Sequence, residues 1–194
     1  MKKLSGLVKL KTAVFISGKG SNLKSLIRFS NLKNSPILVN LVVSSNNKSR
    51  GLKIAKKYKI KNKSFSFKEK IKDEKKIIQL LKKNKINLIC LAGFMKILSK
   101  NFIYKFDGKI LNIHPSLLPK YKGLNTHQRA IDNKDKFSGC TVHFVNSKLD
   151  SGKIILQKKT RVYSKDTPKT LAKRILMHEH KLYPEAIKKL YSNL

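Results

Sequence analysis

Apolar residues recur along this chain in two rhythms, short continuous runs and amphipathic stretches, that take turns. Residues 12–17 (TAVFIS), 36–44 (PILVNLVVS) and 86–92 (INLICLA) are apolar runs of strand length, and such runs read as buried strands. Between them, residues 21–29 place Leu23, Leu26 and Ile27 on one helical face, residues 51–59 read as helix, and residues 70–83 carry Ile71, Ile77, Ile78, Leu80 and Leu81 as an apolar stripe. Residues 64–67 predict a short strand and residues 99–106 a short helix. Residues 109–114 (KILNIH) form a further strand that Pro115 ends, because proline cannot donate to a ladder and restricts the residue before it. A helix over 126–133 follows, then strands over 138–146 and 154–162. Residues 147–153 are too few for a helical crossover, so those two strands are expected to be antiparallel. Thr167 opens a last helix with Pro168 in its first turn, and Pro184 is expected to kink or break it. The order predicts an α/β fold: a Rossmann-like open twisted sheet, mainly parallel, with an antiparallel C-terminal edge and helices on both faces.

Two stretches stand out against this pattern. In 109–114, Leu111 and Ile113 share one face, and Ile110, Asn112 and His114 the other. Two polar side chains thus stand at the carboxyl end of a strand, where open α/β sheets bind ligands; a core Asn and His satisfied by backbone groups is the plainer alternative. Gly18-Lys19-Gly20-Ser21-Asn22 joins the first strand to the first helix. Such a turn aims backbone N–H groups at a phosphate, although a tight strand-to-helix turn calls for glycine in any case. It is neither a Walker A loop nor GxGxxG, since Leu23 takes the place of the third glycine.

Composition changes the picture little. The 194 residues suit one domain, with 1–11 as an N-terminal extension and 12–194 as the folded unit. No apolar run is long enough to span a membrane and no secretory leader is evident, so a cytoplasmic protein is expected. Cys90 and Cys140 lie inside strand-like runs and read as buried thiols, and no Cys/His spacing suggests a metal. His178-Glu179-His180 are adjacent on a helix and diverge, so they do not converge on one ion. The net charge of +35 suggests an anionic partner, but the lysines are spread throughout without interleaved aromatics, so no specific nucleic acid is expected.

Taken together, Ile16-Ser17-Gly18-Lys19-Gly20-Ser21-Asn22-Leu23, Leu91-Ala92-Gly93-Phe94-Met95-Lys96-Ile97-Leu98, Asn112-Ile113-His114-Pro115-Ser116-Leu117-Leu118-Pro119, Thr141-Val142-His143-Phe144-Val145, Asp150-Ser151-Gly152 and Glu179-His180 resemble the phosphoribosylglycinamide formyltransferases, over about residues 12–190. That resemblance implies a one-carbon transferase of purine synthesis. It would move a formyl group from the co-substrate 10-formyltetrahydrofolate to the amino group of glycinamide ribonucleotide, with no metal. It implies Asn112, His114 and Asp150 as the catalytic trio, and Gly20, Ser21, Asn22 and Glu179 as contacts to the ribonucleotide. Met95, Lys96, Ile97 and Leu98, with Asn112, would hold the folate, and Lys70 stands where the family places an arginine. Its partners would be small molecules, acting on a monomer or homodimer. Three departures are Lys19, at a variable loop position, Asn125, where a histidine is common, and residues 1–11, which precede the family's usual start at the first strand.

The chemistry fits those residue types. An amine attacking a formyl carbon makes an oxyanion, and one aimed hydrogen-bond donor is worth ~3–4 kcal/mol of barrier. A histidine can relay the proton near neutral pH, and a nearby carboxylate favours its charged form. His143 shares a face with Thr141 and either borders the site or packs within the sheet. Methionyl-tRNA formyltransferase resembles the chain over about residues 12–160 and is expected to need a further tRNA-binding barrel. A formyltetrahydrofolate hydrolase is expected to need an N-terminal regulatory domain. A nucleic-acid-binding module without catalysis would not need the Asn112, His114 and Asp150 set.

Overall fold

The computed structural model describes residues 9–192. Its elements are β1 (Leu10–Ile16), α1 (Ser21–Ser30), β2 (Ile37–Ser44), α2 (Arg50–Lys57), β3 (Lys61–Ser64), α3 (Lys70–Lys83), β4 (Leu88–Leu91), α4 (Lys100–Lys105), β5 (Lys109–His114), α5 (Thr126–Asp132), β6 (Phe137–Phe144), β7 (Ile154–Arg161) and α6 (Pro168–Ser192). The strands form one sheet in the order β3-β2-β1-β4-β5-β6-β7. β1 to β5 run parallel, whereas β6 is antiparallel to both β5 and β7. The strand order reverses between β1 and β4, and a crevice outside the carboxyl ends of the strands opens at such a switch point. The segments that leave those two strands are the glycine turn and residues 92–98.

Each face of the sheet has its own core. Val14, Ile16, Leu111, Ile113, Cys140 and Val142 pack with residues of α1, α5 and α6. Ala13, Phe15, Ile89 and Ile110 pack with Ile77 and Leu81 of α3 and Phe102 of α4 on the other side. Tyr183 of α6 is fully buried, and its hydroxyl is shared between the carbonyls of Leu91 and Leu111, both at 3.1 Å. That phenol bridges β4 and β5 just below the crevice. Cys90 and Cys140 are buried free thiols, as expected, and burial pushes each up to about 12.

Four local expectations are corrected. β1 begins at Leu10, whose N–H donates to Pro36 O at 2.8 Å, so the proposed extension loses residues 10 and 11 to the sheet; residues 1–8 lie outside the described residues. The strand expected over 64–67 lies instead at Lys61–Ser64, an edge strand whose lysines face solvent. Phe65 and Phe67 instead enter the core from a loop, Phe67 with φ +57°. Ile71, one residue into α3, is 67% exposed: the buried seam of that helix runs through Glu74, Ile77 and Leu81. Finally, α6 runs unbroken through Pro184. A proline leaves the carbonyl four residues earlier without its helical donor. Here that carbonyl, of His180, accepts from Ser25 Oγ at 2.7 Å, while Leu182, Tyr183, Ala186 and Ile187 bury both halves of the helix.

Candidate active site

The crevice is a cavity of about 1070 Å³, at the upper end of the range for small-molecule sites and roomy enough for two ligands at once. At one end lies the glycine turn. Gly20 caps α1 with φ +77°, and a Cβ there would come within 2.7 Å of Gly51 Cα, so glycine is required at this contact between two turns. Ser49 Oγ and the Gly51 N–H both donate to Gly18 O and hold the turn in place. No side chain caps α1 and no acid occupies its first turn, so its first N–H groups are free for an anion.

Glu179 comes to this end from α6, buried, with its Oε2 accepting from Asn22 Nδ2 at 2.6 Å. Burial pushes the Glu179 carboxyl up, and the Asn22 amide offsets that only in part. Asn22 Oδ1 is itself buried without a partner. An acceptor pair of this kind calls for hydroxyl or amine donors on a ligand. Lys169, Ala172, Lys173 and Leu176 also line the cavity. Sequence reasoning missed them, although their spacing from Glu179 puts them on the same helical face.

The other end is built from β5 and the loop between β6 and β7. His114 and Asp150 are buried, with His114 Nδ1 3.4 Å from Asp150 Oδ2. His114 Nε2 lies 2.8 Å from Tyr121 O. Asp150 sits at φ +44°, and its Oδ2 also accepts from the Gly123 N–H at 2.9 Å. His143 joins the cluster rather than packing away from it. Its Nδ1–H donates to Phe144 O at 2.7 Å, leaving Nε2 to accept from Asn112 Nδ2 at 3.2 Å, with Asp150 Oδ1 3.7 Å away. Asn112 Nδ2 is also 3.4 Å from Asp150 Oδ1. The Asn112 amide is therefore engaged within the cluster, by two long hydrogen bonds, and not idle.

The electrostatics divide the two central groups. Burial lowers the His114 pKa, and the Tyr121 carbonyl and Asp150 recover only part of that, while His143 and Arg129 lower it further. Burial pushes Asp150 up, but His143, the Gly123 N–H and His114 outweigh it and hold the carboxyl below its ordinary value. A neutral imidazole thus stands beside an ionised carboxylate, ready to accept a proton that the carboxylate would then stabilise. His127, which the sequence reading passed over, lines the cavity too, with a buried Nδ1 that has no partner.

The segment after β4 walls the remaining side. Ser17 Oγ accepts from the Met95 N–H at 2.8 Å, and Glu74 accepts from the Ser99 N–H at 2.8 Å, pinning the two ends of the stretch. Met95, Lys96, Ile97 and Leu98 all line the cavity, Met95 and Ile97 each 64% exposed at its mouth. Gly20, Ser21, Asn22, Asn112, His114, Asp150 and Glu179 line it as well. Lys70 does not: it opens α3 on the solvent side, because that helix turns Ile77 and Leu81 toward the sheet. Asn125 also lines the cavity, as the left-handed cap of α5.

An open α/β sheet with an imidazole, a carboxamide and a carboxylate at its switch-point crevice defines a class, and comparison with known proteins supplies its name. Residues 10–187 match the formyl transferase family, and the chain belongs to it. It is 42% identical over 181 residues to a phosphoribosylglycinamide formyltransferase of Haemophilus influenzae, covering 92% of this chain and 85% of that protein. The crystal structure of a phosphoribosylglycinamide formyltransferase from Brucella melitensis superposes with a TM-score of 0.89 at 42% identity, covering 94% of this chain and 96% of that one. The chain is also 41% identical over 182 residues to the trifunctional purine biosynthetic protein adenosine-3 of Homo sapiens, covering 92% of itself but spanning only 18% of that relative's length. Within the family, the chain groups with the phosphoribosylglycinamide formyltransferases. Among the described residues, no helix is long and apolar enough to cross a membrane.

Proposed function

We propose that the protein transfers the formyl group of 10-formyltetrahydrofolate to the amino group of glycinamide ribonucleotide, giving formylglycinamide ribonucleotide and tetrahydrofolate in de novo purine synthesis. The observation that carries this reading is one continuous cavity. It runs from the uncapped α1 N-terminus, past Glu179, to the His114 and Asp150 pair, beside an apolar wall at residues 93–98.

The phosphate would sit on the backbone N–H groups of Gly20, Ser21 and Asn22, with Lys169 and Lys173 adding charge. The Asn22 side chain is turned to Glu179 and would serve through its orphan Oδ1, so this pair would take the donors of the ribose. The folate ring would lie against residues 95–98, and Lys70 is given no role. The substrate amine then attacks the formyl carbon, forming a C–N bond and an oxyanion. His114 Nδ1 takes the amine proton, and Asp150 stabilises the resulting imidazolium. An Asn112 N–H, held by only a 3.4 Å contact to Asp150, swings to the oxyanion. Collapse breaks the bond to folate N10, and the same proton goes to that nitrogen. Burial supplies a dry site in which these charges act strongly.

The deciding experiment mixes the protein and 10-formyltetrahydrofolate with either glycinamide ribonucleotide or charged initiator tRNA and follows release of tetrahydrofolate. Turnover only with the ribonucleotide is expected. Turnover only with the tRNA would replace the reading with the other formyltransferase chemistry.

A further inference from the structure

One segment, residues 121–123, touches both central groups of the site. Tyr121 offers its carbonyl to His114 Nε2, and Gly123 gives its N–H to Asp150 Oδ2. A carbonyl only accepts, so Nε2 must carry the proton, which leaves Nδ1 facing Asp150 as the nitrogen with the free lone pair. The reaction proposed above needs that tautomer. The reverse one would donate Nδ1–H to Asp150 and leave no base pointing at the cavity.

Tyr121 holds this carbonyl at φ +55°, a conformation that side-chain-bearing residues keep only when their surroundings enforce it. The enforcement lies outside the cavity. The Tyr121 hydroxyl donates to Asp135 Oδ2 at 2.8 Å, and Lys120 Nζ pairs with Asp135 Oδ1 at 3.1 Å. The Arg129 guanidinium lies 4.9 Å from the centre of the Tyr121 ring, and its Nη1 donates to Lys122 O at 2.8 Å. Neither Tyr121 nor Asp135 lines the cavity.

We propose that Asp135, acting through the Tyr121 phenol, is a positioning residue that fixes the proton of His114 on Nε2 and so turns Nδ1 toward the reacting amine. Asp135 touches neither substrate nor His114. It acts by anchoring the ring of Tyr121, and with it the left-handed backbone that aims the carbonyl. This proposal rests on the formyl-transfer reading only for the use to which Nδ1 is put.

Three variants test it. Tyr121→Phe removes one oxygen, Asp135→Ala removes the anchor, and Asp135→Asn keeps an amide oxygen that can accept from the phenol. We expect kcat to fall about 10-fold in the first two, KM for each substrate to stay within about twofold, and Asp135→Asn to recover most of the loss. Two-bond 15N–1H NMR on the substrate-free protein is expected to show His114 as a single Nε2–H tautomer, giving way to a mixture in Tyr121→Phe and Asp135→Ala. An unchanged tautomer in Tyr121→Phe overturns the proposal, and so does a loss confined to KM. Should Asp135→Ala not fold, Tyr121→Phe decides alone. An unaltered protein that turns over neither acceptor would refute formyl transfer, while the NMR result would still judge the tautomer.

Discussion

Replacing Asp150 with asparagine tests the centre of the mechanism while keeping its shape. The amide oxygen can still accept from the Gly123 N–H, so the loop keeps its anchor. Two things change. The charge is lost, and the new NH₂, in the place of Oδ1, faces His143 Nε2 and no longer accepts from the Asn112 amide. Opposite unit charges at the observed 3.4 Å attract by roughly 5 kcal/mol at an effective dielectric of about 20. About half of that survives once water and neighbouring dipoles relax around the variant, leaving ~2.5 kcal/mol, or about 70-fold in kcat. The assay is steady-state release of tetrahydrofolate across pH, with ribonucleotide affinity measured separately. Because the carboxylate favours the protonated ring, its loss lowers the His114 pKa further, and the acid limb of the kcat profile is expected to move to lower pH. A kcat within threefold of the unaltered enzyme, or an acid limb that stays in place, would refute the pairing.

Asn22→Ala leaves the Glu179 carboxyl buried without its donor; KM for the ribonucleotide is expected to rise at least 10-fold with that for the folate nearly unchanged, and steady-state kinetics in each substrate check it. Gly20→Ala forces a side chain into positive φ and against Gly51 Cα, so we expect a loss of roughly 2 kcal/mol or more, read as a lower urea midpoint. Glu74→Ala strips the Ser99 N–H of its buried acceptor; a loss of about 1–3 kcal/mol in stability is expected, with a raised folate KM because residues 93–98 lose one anchor. His114, His127 and His180 are all held below the ordinary histidine value, first of all by burial. The unfolded chain therefore binds protons more readily, and stability is expected to fall as pH drops below about 6.5 and to be flat above it as far as these groups are concerned. Thermal midpoints measured between pH 7.5 and 5 check this, and no decline would refute it.

Much of this fold was legible because its strands are buried on both faces, so apolar runs such as residues 12–17 and 86–92 marked the sheet directly. The β5 pattern also placed Asn112 and His114 on one face, at a strand end, before any contact was known. What escaped the pattern was whatever depends on tertiary partners. β3 has no apolar signature, since an edge strand covered by lysines needs none. His143 could not be placed by alternation alone, because both faces of its strand are covered. Lys169, Lys173 and His127 were invisible for another reason: cavity walls are assembled from segments far apart in sequence. Lys70 stands outside the cavity lining because the rotation of α3 is set by Ile77 and Leu81, which local charge does not report.

The proline in the last helix carries a consequence of its own. By freeing the His180 carbonyl, it allows Ser25 to rivet two helices one residue away from Glu179, on the helix whose Asn22 meets that carboxylate. The two parts of this cavity wall are thus stitched together through a gap in the helical ladder. A residue that ordinarily loosens a rod serves here to keep two rods from sliding past each other.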